Sequence, residues 1–146
     1  MHFTSRRYRL AAVLAGAIVL GALAGCTPDD AHPSSTPAQV KGLPDGVQQA
    51  TSVPTSVPNT PTLRANVTLA DCSRADGGWK AAGRAKNPGK SDVTYTISVF
   101  FTTDHGTVLG TGGTTVAVPA GKSADWTVTA DLTPAPKMLC VLRGVG

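Results

Sequence analysis

The sequence contains no glutamate, and Phe, Trp and Tyr together make up 5% of its 146 residues. Without Glu there is no paired Glu acid and base of the kind that hydrolytic sites use. A G-x-S-x-G nucleophile turn and a phosphate-cradling Gly loop beside a helix are also missing. Three His, three Cys and two Met are spread along the chain. Zinc or copper needs such residues clustered, so no metal and no other cofactor is expected. A membrane-spanning helix needs roughly 20 apolar residues. The uncharged run at residues 10–24 has fifteen.

The charge also thins out on inspection. The formal net charge is +4. Setting aside Arg6, Arg7 and Arg9 leaves ten Lys and Arg against nine Asp, a net charge of +1. The basicity therefore belongs mostly to the first ten residues, and nucleic acid is not an expected partner. What is abundant is Ala, Gly, Thr, Val and Pro, a composition that favours strands and turns over helices.

A basic start, a fifteen-residue apolar run and then small residues fit an export signal over residues 1–25. The run ends Leu23-Ala24-Gly25-Cys26. This string resembles the lipobox of the bacterial lipoprotein pathway. The resemblance implies a diacylglycerol thioether on Cys26, cleavage before it, and a lipid anchor in the cell membrane on its extracytoplasmic side. Two acyl chains hold a protein stably where one is marginal, at ~0.8 kcal/mol per buried CH₂. An ordinary signal peptide with a chance cysteine, or an uncleaved anchor, is the plainer alternative. Ser5-Arg6-Arg7-Tyr8-Arg9-Leu10 partly resembles a twin-arginine signal. Arg9 occupies a position that is usually apolar, which favours the general secretion route.

Residues 26–62 are expected to form a lipidated cysteine and a disordered tether. Seven of the eleven prolines lie here, with many Ser, Thr, Ala and Gln and no aromatic. Such a segment cannot bury enough apolar surface to offset its chain entropy. It contains a tandem repeat, Thr51-Ser52-Val53-Pro54 and Thr55-Ser56-Val57-Pro58. Extended as polyproline II it would reach on the order of 100 Å. It reads as a spacer, with glycosylation of a Ser/Thr-Pro stalk as an elaboration. Val40, Leu43 and Val47 allow a brief helical turn that Pro44 would limit.

From residue 63 the apolar period becomes two, the strand signature. Leu63, Ala65, Val67 and Leu69 alternate with polar residues. After the Asp76-Gly77-Gly78 turn, Trp79, Ala81, Gly83 and Ala85 alternate with Lys80, Ala82, Arg84 and Lys86. Asn87-Pro88-Gly89-Lys90 is a turn. Val93, Tyr95, Ile97, Val99 and Phe101 then share one face, with Phe100 on the other. Asp104-His105-Gly106 marks a hairpin. Residues 107–118 form one bent strand or two short ones, with Gly110, Gly112 and Gly113 permitting a bulge. Further strands follow around Trp126 and over residues 138–145. Six or seven short antiparallel strands spaced by turns indicate an all-β fold, a small immunoglobulin-like β-sandwich over residues 63–146.

So small a core needs help. With Cys26 lipidated, Cys72 and Cys140 remain as an even pair in an oxidising compartment and are expected to form a disulfide.

The layout of the domain from Trp79 to Val141 resembles the FxLYD-type immunoglobulin-like domains of bacterial envelope lipoproteins. The resemblance rests on Gly83-Arg84-Ala85-Lys86-Asn87-Pro88, Tyr95-Thr96-Ile97-Ser98-Val99-Phe100-Phe101, Asp104-His105-Gly106-Thr107-Val108-Leu109, and Val118-Pro119-Ala120-Gly121 ahead of Trp126. The Phe-x-Leu-Tyr-Asp phrase itself is absent. The family implies a sandwich and an extracytoplasmic setting, and brings no catalytic motif.

Two clusters could carry a function. Lys80, Arg84 and Lys86 project from one strand face, with Lys90 in the adjoining turn, as a cationic stripe toward an anionic polymer, phospholipid headgroups or an acidic protein face. A solvated outer face is the plainer reading. Asp104 beside His105 suggests acid–base work, against the plainer reading of a hairpin tip chosen for turn geometry. His32 falls in the tether and is incidental. The expectation is a non-enzymatic binding module held in the envelope by its lipid, with an envelope protein or anionic polymer as ligand. A structural role in an envelope assembly is the second reading, and an enzyme using Asp104 and His105 the third.

Overall fold

A computed structural model describes residue 40 and residues 42–146 of the chain. The expected signal segment, the lipobox with Cys26 and the first part of the tether lie outside the described residues. Among the described residues six strands are formed: β1 (Val67–Ala75), β2 (Gly78–Lys86), β3 (Val93–Thr103), β4 (Val108–Val118), β5 (Ser123–Asp131) and β6 (Met138–Val145). They make two three-stranded sheets, β1-β2-β5 and β4-β3-β6, with every pairing antiparallel. The expected all-β sandwich is therefore present.

The alternation in the sequence decides what faces inward. Tyr95, Ile97, Val99 and Phe101 of β3 are essentially sealed from solvent, against Ala81 and Ala85 of β2, Trp126 and Val128 of β5, and Val145 of β6. Each such large side chain is worth about 1.5–3 kcal/mol on burial. Gly83 pairs with Trp126 across β2 and β5, and a Cβ there would meet the indole at 2.7 Å. The glycine lets the indole and the Thr68 carbonyl of β1 both approach the β2 backbone this closely. In β4, Gly110 and Gly112 face Leu132 and Val128, at 2.7 and 2.6 Å from where a Cβ would stand. These glycines serve close sheet approach. The irregularity in the β3–β4 ladder falls instead at Leu109, between the Phe101–Gly110 and Thr102–Val108 pairs.

The alternating stretch from Leu63 does not begin a strand. Pro61–Arg64 form a single helical turn, α1, with Pro at its start, where its missing N–H costs nothing. Leu63 still packs on the core. A bulge between Leu69 and Asp71 then shifts the phase of β1, which lets both Leu69 and Cys72 point inward. Cys72 and Cys140 are bonded, Cα to Cα 5.7 Å, joining β1 to β6 across the sheets as expected.

One buried polar residue organises an end of the sandwich. Asn87, 1% exposed, donates from Nδ2 to Ser91 O and Val118 O at 2.8 and 2.9 Å and accepts from Gly89 N–H at 2.9 Å. Its backbone N–H donates to Lys122 O at 2.8 Å. Both loops at this end are thereby tied to one side chain, and Tyr95 adds a bond from its hydroxyl to Lys86 O at 2.7 Å.

The folded unit reaches further toward the N-terminus than the expected boundary at residue 63. Val47 is buried with Leu109 and Ala135, and Leu43 packs on the same cluster. From there the chain crosses the outer face of the β4-β3-β6 sheet. Ala50 N–H donates to Val108 O at 2.9 Å on the β4 edge, and Thr60 N–H to Val145 O at 2.6 Å on the β6 edge. Between these two bonds Pro54 and Val57 line a groove with Phe100 and Gly112. The TSVP repeat therefore forms part of a strap in its second half. Its valines, Val53 and Val57, are half-buried at equivalent positions of the two units, and its prolines reduce the entropy lost on docking. Arg64 Nη2 adds a bond to Leu142 O at 2.6 Å, so the edge of β6 is capped.

Candidate functional site

The outer face of the β1-β2-β5 sheet carries the residues expected as a cationic stripe. Lys80, Arg84 and Lys86 do alternate outward from β2, opposite the buried Ala81, Gly83 and Ala85. They do not form a stripe of one sign. Arg84 lies directly across from Asp125 of β5 and grips it with two bonds, Nε–Oδ1 at 2.9 Å and Nη2–Oδ2 at 3.4 Å. Lys80 Nζ reaches Asp71 Oδ2 at 3.1 Å. The bulge in β1 turns Asp71 to this face, which strict alternation from Leu69 would not have done. The Ser73 hydroxyl donates to the same oxygen at 2.9 Å. The Ser73 hydroxyl and then Lys80 hold the Asp71 carboxyl below the ordinary carboxylate range. Arg84 lowers Asp125 in the same way, and Asp125 raises Arg84 in return. Half of the expected stripe is thus neutralised. Lys86 and Lys90 are the two of the four that have no carboxylate at ion-pair distance among the described residues.

Asp104 and His105 occupy the tip of the β3–β4 hairpin. Thr103 closes the tip by accepting the His105 and Thr107 N–H groups on Oγ1, and Gly106 takes φ +84°. The His105 side chain is 87% exposed, with Nε2 3.6 Å from Asp104 Oδ1, and Lys137 stands 3.8 Å from the other Asp104 oxygen. An open cleft of about 360 Å³ lies alongside, lined by Leu43, Pro44, Ala135 and Pro136 as well as the tip. Among the described residues no hydrogen bond joins the His105 ring to a nucleophile, and the pair sits, open to water, in the turn that Thr103 and Gly106 close. Among the described residues no three His, Cys or Asp side chains gather as a metal would require.

Phe100, which the alternation points away from the Ile97 face toward a second apolar face, a partner patch or a covering loop, lies on the outer side of β4-β3-β6. Phe100 pairs with Val141, and Thr102 with Leu139. Phe100 is 8% exposed under Pro54, Val57 and the Arg143 guanidinium, which lies 5.8 Å from the ring centroid. Beside it Leu139 and Val141 are 50% and 42% exposed, the two large apolar side chains most open to water among the described residues. The strap covers one half of an apolar strip and leaves the other half bare. Alternation within residues 138–145 makes Leu139 and Val141 readable as outward residues; nothing in the sequence tells that the strap stops short of them.

Comparison with known proteins finds no family model, no curated protein and no solved structure that matches the chain.

Proposed function

We propose that the protein is a lipid-anchored, extracytoplasmic binding module without catalytic activity, and that the bare apolar strip of the β4-β3-β6 sheet is where it meets an envelope protein. The anchor rests on the Leu23-Ala24-Gly25-Cys26 string, and the compartment on the same string together with the Cys72–Cys140 bond. The observation that carries the binding role is the pair Leu139 and Val141, half-exposed on the outer sheet face next to buried Phe100. Apolar residues grouped in this way on a small domain mark an interaction surface more often than scattered ones do. Flanking Arg143 suits an interface rim.

Two experiments test the reading. Incorporation of labelled palmitate into the protein, lost in Cys26→Ala, is expected for the anchor; label retained in the variant removes it. A photo-crosslinking residue placed at Val141 in cells should yield a discrete adduct, while one at Thr127 on the opposite sheet should not. Equal adducts at both positions, or none at either, would sink the strip as the contact and leave a structural role within an envelope assembly as the better account.

A further inference from the structure

The two ends of the sandwich differ in charge. Strand directions set which side chains share an end. β2 and β4 finish, and β3 and β5 begin, at the end organised by Asn87. There Lys86 closes β2, Lys90 lies in the turn wrapped around Asn87, and Lys122 immediately precedes β5. All three are exposed. The Asn87 N–H bond to Lys122 O and the Asn87 Nδ2 bonds to Ser91 O and Val118 O lock the two lysine-bearing loops side by side. None of the three ammonium groups has a carboxylate at ion-pair distance among the described residues. Of the acids near this end, Asp125 is held by Arg84, and Asp92 turns its Oδ1 onto the Ala120 N–H at 3.0 Å. At the other end Asp45, Asp76, Asp104 and Asp131 outnumber Arg74 and Lys137, and there Leu43 and Val47 bring in the strap against Leu109 and Ala135. The strap therefore enters at the acidic end and reaches the basic end at α1 and Asn66, whose carbonyl accepts the Lys86 N–H at 2.9 Å.

We infer that this end, Lys86, Lys90 and Lys122 on the Asn87-locked loops, is a binding surface for a polyanion that carries repeated phosphate groups. Lysine suits that ligand. Its ammonium is a compact point charge on a flexible stem, which binds phosphate without needing the fixed geometry of a guanidinium fork. The rigid loops remove part of the ordering cost that free loops would pay. The surface is separate from the apolar strip. Loss of the Val141 adduct with polyanion binding intact would sink the protein-contact reading alone, and the reverse result would sink this inference alone.

The test uses the full chain in neutral detergent with long-chain inorganic polyphosphate as probe, titrated at several salt concentrations. The double variant Lys86→Gln/Lys122→Gln is compared with Arg74→Gln/Lys137→Gln, which removes the same charge from elsewhere, and near-ultraviolet circular dichroism checks that both remain folded. The expected result is a loss of about ten-fold in affinity near 0.1 M salt for the first, and a salt dependence reduced by roughly the two contacts removed. The second variant should change affinity less than about two-fold, the effect of net charge alone. Equal losses in both variants, or no binding by the parent chain, would overturn the inference. Micelles doped with phosphatidylglycerol, at matched phosphate concentration, should compete poorly. Competition as strong as polyphosphate's would assign the surface to lipid headgroups and overturn the polymer.

Discussion

Val57 lies against the backbone of Gly144 so closely that a Cβ on the glycine would stand 2.7 Å from Val57 Cγ2 and would overlap the Pro58 carbonyl. The strap and β6 are fitted to each other at this point. Gly144→Ala should therefore lift the strap. Overpacking of this kind costs about 1–3 kcal/mol where the neighbour cannot yield, and less if the strap simply detaches. The two outcomes separate by limited proteolysis. Detachment makes residues 51–58 cleavable and speeds exchange of the Ala50 and Thr60 amides while the urea midpoint moves little. Removal of residues 43–60 outright should uncover Phe100 and promote self-association, read by light scattering.

Asn87→Ala should be among the most damaging single substitutions. The side chain is buried, and its loss leaves Val118 O without that bond in a dry site. An unsatisfied buried acceptor costs about 1–3 kcal/mol, and the freed loops add to it. Urea unfolding should show the loss. Asn87→Asp should recover the Gly89 N–H bond and little else, since the carboxylate cannot donate to Ser91 O or Val118 O.

The acid limb of the stability curve has a defined origin on the β1-β2-β5 face. Asp71 and Asp125 have depressed pKa values in the folded chain, so they bind protons less readily there than when unfolded. Their contribution is complete above the unfolded carboxylate pKa of about 3.9, and it is lost as pH falls through the lower folded values. Urea midpoints should be flat with respect to these groups from about pH 5 to 8 and should fall below about pH 4. Asp71→Asn/Asp125→Asn should flatten that fall, and added salt should do so partly, because both pairs face water. An unchanged acid limb in the double variant would assign it to other carboxylates.

Parts of this structure could be read directly from the chain. Val93, Tyr95, Ile97, Val99 and Phe101 lie on one face because strict alternation permits nothing else, and all but Val93 are sealed in the core. The Cys72–Cys140 bond follows from counting. The pairing of Lys80 with Asp71 was not legible, because it depends on a bulge at a residue, Ala70, that carries no turn signal. Arg84 and Asp125 were both recognisable as outward residues, but their meeting depends on the β2–β5 register, and register is a property of two strands together. The strap escaped for a different reason. Composition averages over a segment, and three apolar anchors, Leu43, Val47 and Val57, among so many Pro, Ser and Thr do not change the average. Their value appears only once Phe100, Gly144 and Leu109 are in place to receive them.

The disulfide supplies the last prediction. It closes a separation of 68 residues and joins β1 to β6, two strands in different sheets. In the chain-entropy model a loop of that size is worth about 4 kcal/mol, a large fraction of what so small a domain has. Cys72→Ala/Cys140→Ala should lower the urea midpoint accordingly and leave the strand content, read by far-ultraviolet circular dichroism, unchanged at low denaturant. A local reporter is at hand. The Trp79 indole N–H points at Cys72 Sγ, 3.3 Å away, and the Arg74 guanidinium lies 5.8 Å from its ring centroid. Reduction should therefore change Trp79 emission before the chain unfolds, with Trp79→Phe as the control that leaves buried Trp126 as the remaining tryptophan. Emission that changes only at the global transition would mean that the bond contributes nothing locally and acts wholly by constraining the unfolded chain.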